Sequence, residues 1–349
     1  MEWLGVDYRD PVFGLIVLFS LIFAASFLTH TYNVYKERKS RKEYRKLLDR
    51  FNLGTLKEDD YVHLYTTYNL PFDSIILLAS TFLHKGNYNK AISVYLALLE
   101  HVKDNVKKEE LLELLGSTYF KGGFLQRAKD IFLKILKFSP RNQKALHHLL
   151  IIYEKLKEYE KAEEVLESLN EVKVDIFRDK FYISTLKIIA NPTMSFDKKS
   201  TSLLALYKMN KITERLVVKF LIQFNKPLFW ENIEKFNPHK IIDLLWYLDF
   251  NDIDFDKVAA NKELTEIYTA KGYINTAPDS ETFELSVLIT LHHEKSKIKA
   301  DLNFEYQCAK CKKIHPIYES RCPHCHSILT LKVEPMLARK FYEQNQSLL

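Results

Sequence analysis

Residues 110–140 read ELLELLGSTYFKGGFLQRAKDIFLKILKFSP, and a stretch of similar build stands on either side. SIILLASTFLHKGNYNKAISVYLALLEHV begins at Ser74, and ALHHLLIIYEKLKEYEKAEEVLESL begins at Ala145. Ala91, Ala128 and Ala162 fall at matching places, 37 and then 34 residues apart. An aromatic stands nine positions before each alanine (Phe82, Tyr119, Tyr153), and a large apolar side chain four positions after it (Tyr95, Phe132, Leu166). Apolar residues at three- and four-residue intervals make each copy a pair of helices. The alanine lets the second helix approach the first, and the aromatics fill the gap to the next pair. One such hairpin cannot bury its apolar face alone, so repetition at this period implies a stack.

These positions match the tetratricopeptide pattern, with Gly116, Tyr119, Ala128, Phe132 and Pro140 of the middle copy all in register. Residues 74–175 are therefore read as tetratricopeptide repeats. Between 176 and 300 the periodicity stays helical, in FRDKFYISTLKIIA, TSLLALYKM, ERLVVKFLIQF, HKIIDLLWYL and ETFELSVLITLHH, but the register of small residues fades. Pro192, Pro227, Pro238 and Pro278 fall between these runs and mark turns. Two readings stay open for this part: a continuation of the stack in degenerate pairs, or a separate helical bundle. The fold class is all-α, a tetratricopeptide-type helical solenoid with appendages at both ends.

A solenoid offers a groove lined by the first helix of each pair, suited to an extended peptide or a partner helix. Ile76, Leu83, Glu113, Phe120, His147 and Ile151 are the residues expected to face such a partner. The Lys and Asn set with which chaperone-binding members of this repeat class grip a C-terminal carboxylate is absent, which disfavours that ligand.

Composition removes other functions. With 47% hydrophobic and 13% aromatic residues, 349 residues can bury a large core. There are 8 glycines, and Gly122-Gly123 is the one adjacent pair, so no glycine-rich loop is available to cradle a nucleotide phosphate. No G-x-S-x-G or H-E-x-x-H occurs, and no cysteine lies outside one cluster. Catalysis is not expected.

Residues 12–29, VFGLIVLFSLIFAASFLT, carry no charge. At about 1.5 Å per residue they span about 27 Å, close to the hydrocarbon thickness of a bilayer. Residues 12–32 are read as a transmembrane helix after a short periplasmic N-terminus, 1–11. The basic run KERKSRKEYRK at 36–46, seven Lys or Arg against two Glu, begins a juxtamembrane connector at 33–73. Basic flanks stay on the cytoplasmic side, which puts the bulk of the chain in the cytosol. Trp3 and Tyr8 on one side, and Tyr32 and Tyr35 on the other, suit the two interfaces.

All four cysteines stand in CAKCKKIHPIYESRCPHC, residues 308–325. Cytosolic thiols are kept reduced, so two C-x-x-C pairs at this spacing read as a metal site with Cys308, Cys311, Cys322 and Cys325 as ligands. Four thiolates place sulfurs at the corners of a tetrahedron, which suits one zinc ion, with iron as the alternative. Rubredoxins set Gly after the second cysteine of each pair to allow positive φ, and Lys312 and His326 stand there instead, which weighs against electron transfer. Lys310, Lys312, Lys313, His315 and Arg321 are basic, and Tyr306 and Tyr318 could stack on bases, so a nucleic-acid-binding zinc ribbon is a further alternative. Nucleic acid is not the expected partner. His315, His324 and His326 are read as exposed polar side chains, and the module of 304–335 as a knuckle that folds around its metal, followed by a tail at 336–349 in which 337–349 could form a short helix.

An amino-terminal membrane helix, cytosolic repeats and the ending YQCAKCKKIHPIYESRCPHCHSILTLKVEP at 306–335 together resemble the lipopolysaccharide assembly protein B family of Gram-negative bacteria. That family ends in a rubredoxin-like segment, whose positions correspond here to Tyr306, Cys308, Cys311, Cys322, Pro323, Cys325, Thr330, Leu331 and Lys332. The resemblance implies a non-catalytic adaptor of the bacterial inner membrane that hands the LpxC deacetylase to the FtsH protease, with the knuckle packed on the repeats as a lid or docking face. It leaves a homodimer open. The solenoid is expected to stay helical without the knuckle, because its core is built from separate repeat contacts.

Overall fold

The computed structural model describes residues 11–339, apart from 53–55, 69, 277–278 and 296–297. Of the periplasmic N-terminus expected at 1–11, residues 1–10 lie outside the described residues, as do the turn expected at Pro278 and residues 340–349. Two compact units are present, divided after residue 135.

In the first unit, α1 (Pro11–Asn52) is one continuous helix of 42 residues. Its Phe13–Leu47 stretch is long and apolar enough to cross a membrane, and its most apolar part is exposed among the described residues. Beyond the basic run, Leu47 is buried and Arg50 pairs with Asp60 of α2 (Glu58–Thr66) at 2.7 Å. The connector expected at 33–73 is thus largely helical. The hairpins α3 (Phe72–His84) with α4 (Tyr88–His101), and α5 (Asn105–Lys121) with α6 (Leu125–Phe138), follow. Ala91, Tyr95, Ala128 and Phe132 are fully buried. Gly116 of α5 faces the Phe132 ring so closely that a Cβ there would lie 2.9 Å from it.

The second unit opens with the third hairpin, α7 (Gln143–Leu156) and α8 (Tyr159–Glu171). All three hairpins turn in the same way. One residue enters the left-handed region (Gly86, Gly123, Lys157), five positions before the repeat alanine. The amide after it then donates to the carbonyl of the repeat aromatic: Asn87 to Phe82 at 2.8 Å, Phe124 to Tyr119 at 2.9 Å, Glu158 to Tyr153 at 2.9 Å. The bond closes the helix end and fixes the entry of the next helix.

A fourth hairpin, α9 (Phe177–Ala190) and α10 (Phe196–Met209), packs on α8, so the stack continues past the recognisable repeats. After α11 (Glu214–Phe224) the helices shorten: α12 (Lys226–Glu231), α13 (Ile242–Trp246), α14 (Phe255–Ala259), α15 (Lys262–Ala270) and α16 (Phe283–His293). The chain ends in an antiparallel sheet of order β2-β1-β3, with β1 Ala300–Cys308, β2 Ile314–His315 and β3 Leu331–Arg339. Alternate residues Leu302, Phe304, Tyr306 and Cys308 of β1 are buried.

Two expectations are corrected here. Residues 337–339 are strand, because Leu337 pairs with Leu302 and Arg339 with Ala300. Nor is the helical core built from repeat contacts alone. A single apolar core runs from Leu203 through Trp230, Trp246 and Tyr268 into Leu302, Phe304, Tyr306, Cys308 and Cys322.

Candidate metal centre

Cys308 closes β1, Cys311 lies in the turn after it, and Cys322 and Cys325 occupy a second turn of the same form. The two turns repeat with a shift of fourteen positions. Lys312 donates its amide to the Cys308 carbonyl at 2.8 Å, and His326 to that of Cys322 at 2.9 Å. Cys308 donates to the Lys313 carbonyl, and Cys322 to that of Ser327, each at 2.9 Å. Amides of Lys310 and Cys311 hydrogen-bond the Cys308 sulfur, and those of His324 and Cys325 the Cys322 sulfur. The amides of Lys313 and Ser327 serve Cys311 and Cys325 in the same way.

Lys312 and His326 adopt φ of 61° and 57°. Both hold the left-handed conformation that rubredoxin-type knuckles give to glycine, so the weight placed on the missing glycines is corrected. Each carries a strain of about 1–2 kcal/mol that glycine would avoid.

The four sulfurs lie within 4.8 Å of one another. The Cys308–Cys325 and Cys311–Cys322 sulfur pairs are each 3.7 Å apart, matching the edge of about 3.8 Å of a tetrahedron with bonds of about 2.3 Å to zinc. Ser327 and Thr330 sit on one side, their hydroxyls 3.0 Å from the Cys325 sulfur and 3.4 Å from that of Cys308 respectively. His315, read from sequence as free, brings Nε2 to 3.5 Å from the Cys322 sulfur.

Burial works to raise the Cys308 thiol, but the amide and hydroxyl bonds outweigh it and hold the group down at about 5. For Cys325, too, burial is opposed and overcome, chiefly by Ser327. Burial pushes Cys322 up to about 12, with the neighbouring Cys325 and Cys311 adding to it. Four thiolates this close would repel one another, and a cation among them would offset that charge. Four soft donors at tetrahedral spacing, each supplied with N–H groups, fit one metal ion.

Polar contacts seat this centre on the helices of the second unit. Arg321, adjacent to Cys322, reaches Glu154 of α7 at 2.6 Å, and Tyr182 of α9 donates its hydroxyl to the same carboxylate at 2.7 Å. Asp179 stands 3.7 Å from Arg321, and burial raises its pKa against the pull of Arg321 and His147. Arg215 of α11 forks onto Asp243 of α13, which also accepts from the Tyr306 hydroxyl at 2.9 Å. The Arg215 guanidinium lies over the Tyr318 ring, 3.9 Å from its centre. Trp246 donates its indole N–H to Asp301 at 3.0 Å. Tyr306, Tyr318 and Arg321 are thereby engaged with helices, which leaves the nucleic-acid reading without its stacking platform.

The residues expected to face a partner are scattered in character. In the first unit, Ile76, Leu83, Glu113 and Phe120 are half-buried. In the second, Ile151 is 6% exposed and belongs to the core, so the groove reading does not extend to it. His147 is exposed but beside the knuckle: burial lowers its pKa, Asp179 opposes, and Arg321 and Lys310 add to the lowering. Sequence reading put Glu154 on the groove-facing helix but not against the knuckle, and it missed Asp179, Arg215 and Asp243, which carry no motif.

The tetratricopeptide repeat family model matches at residues 74–109 and again at 143–173. A curated relative, lipopolysaccharide assembly protein B of Haemophilus influenzae, is 28% identical over 105 residues, 29% of this chain. The chain resembles lipopolysaccharide assembly protein B. That match spans 26% of the relative's own length. Among solved structures, a MamA RS-1 ArsTM double mutant is 18% identical and covers 56% of this chain and 92% of its own, at a TM-score of 0.31. A tetratricopeptide repeat protein from Parabacteroides merdae is 15% identical, covering 72% and 98%, at 0.34. BtubC from P. vanneervenii is 15% identical, covering 68% and 96%, at 0.32.

Proposed function

We propose that this chain is a membrane-anchored, non-catalytic adaptor in lipopolysaccharide assembly, which presents an LpxC-like deacetylase to an FtsH-like protease in the bacterial inner membrane. The observation that carries the reading is a metal knuckle built into the core of a helical-repeat unit, together with the likeness to lipopolysaccharide assembly protein B. An exposed apolar helix, α1, supports an anchor, and the basic residues that follow its apolar part support a cytoplasmic bulk. Repeats supply the surface for protein partners. Zinc is the ion proposed for Cys308, Cys311, Cys322 and Cys325, where it would hold the two turns together and supply no reaction. Depleting the protein from cells should slow turnover of the deacetylase and raise its abundance; unchanged turnover would overturn the adaptor reading.

One observation favours a second reading, a membrane-tethered electron carrier with iron at the four sulfurs. Lys312 and His326 take up the positive φ of rubredoxin-type turns, and the N–H groups aimed at the sulfurs would serve iron equally. Visible absorption of protein purified from its own cells separates the two, since a colourless, zinc-loaded protein excludes the iron centre.

A further inference from the structure

The segment between the two cysteine turns, which includes the short strand β2, exposes what the rest of the module hides. Ile314 is 58% and Ile317 71% exposed, on either side of the exposed Pro316. Lys310, Lys312 and Lys313, all exposed, precede them, and none forms an ion pair among the described residues. Glu319 is the one carboxylate of the loop. Branched apolar side chains this exposed are costly in water and mark contact surfaces when they cluster.

We propose that this loop touches an anionic lipid surface, Ile314 and Ile317 entering the headgroup layer while Lys310, Lys312 and Lys313 meet lipid phosphates. Exposed isoleucines preceded by lysines suit a soft, flat, negatively charged sheet, which takes in the apolar side chains while its phosphates meet the ammonium groups. Its charge sign matches that of the basic run following the apolar part of α1. The proposal rests on the reading of α1 as an anchor: a contact too weak to hold a free protein becomes effective once the chain is tethered.

The test uses the full chain in nanodiscs of phosphatidylcholine, or of phosphatidylcholine mixed with phosphatidylglycerol, and follows hydrogen exchange of the 312–318 amides. In the anionic discs exchange should slow by about fivefold or more, and added salt should reverse the effect. A Lys310→Gln, Lys313→Gln, Ile317→Ser variant that keeps its metal should lose the difference. Equal exchange of the unaltered chain in both discs, once it has entered them, overturns the contact alone. Equal protection in detergent without phospholipid also overturns it, because protein then covers the loop. A chain that stays outside both discs overturns the anchor, and this proposal with it.

Discussion

Arg321 and Glu154 are 167 residues apart in sequence and 2.6 Å apart in space. Their side chains are 10% and 12% exposed, and the carboxylate also accepts from Tyr182. A buried, hydrogen-bonded ion pair adds little net stability over an apolar pair, but removing one partner strands the other charge. The contact therefore fixes where the knuckle sits on α7 and α9 more than how stable the unit is.

Arg321→Ala should accordingly destabilise the second unit by about 3–5 kcal/mol. Arg321 with Glu154 replaced by a leucine–methionine pair should cost much less. Chemical denaturation of the two variants measures this, and equal losses in both would contradict the stranded-charge account.

Lys312→Gly and His326→Gly address the strained turns. Each native residue holds a left-handed φ, and glycine removes a strain of about 1–2 kcal/mol while adding about 0.5–1 kcal/mol of unfolded-state entropy. The variants should hold their metal against a chelator at least as well as the native protein, with a gain of up to about 1.5 kcal/mol. Faster metal loss in both would show that these side chains, rather than the backbone, serve the centre.

The first-to-third repeats were legible because their signals are local: an alanine that must be small, an aromatic whose carbonyl closes a turn, a periodic apolar face. The four-cysteine cluster was legible for the same reason. Ile151 was misplaced because helical periodicity tells a residue's face but not which neighbour that face meets. β1 carried a signal, the alternation of Leu302, Phe304, Tyr306 and Cys308, but it begins four residues before the module was taken to start. Arg215–Asp243 and Arg321–Glu154 could not be read at all, since long-range ion pairs leave no periodic trace. Lys312 and His326 show that a missing glycine is weak testimony against a turn, because tertiary context can hold another residue at positive φ.

Gly116 tests the close approach of α5 and α6. A Cβ there would lie 2.9 Å from the Phe132 ring and 3.2 Å from Ile131. Gly116→Val should overpack this contact and cost about 1–3 kcal/mol. Thermal unfolding of the first unit in the full chain reads the effect, and a neutral outcome would mean that Phe132 can swing away without loss.

Removing residues 1–35 should leave the fold intact. The apolar part of α1 is exposed among the described residues, whereas its far end is tied by Leu47 and by Arg50 to Asp60. The truncated protein should leave the membrane fraction and unfold at the temperature of the full chain measured in detergent. A marked fall in that temperature would show that the removed turns carry fold contacts.

The metal tests how far the knuckle's influence reaches. Cys322→Ser with Cys325→Ser removes two of four sulfurs, and structural zinc contributes about 10–16 kcal/mol in small zinc peptides. Were the knuckle a separate body, the loss would stop at its borders and every helix would stay protected. But Cys308 and Cys322 lie in one core with Tyr306, Leu302, Trp246, Tyr268 and Leu221, and Tyr306 also holds Asp243. The double variant should therefore bind no metal and lose hydrogen-exchange protection in α11, α13, α15 and α16 as well as in β1–β3. The hairpin α7–α8, whose buried residues lie outside that core, should stay protected. Exchange that rises in the strands but not in α13 and α15 would sink the shared-core account.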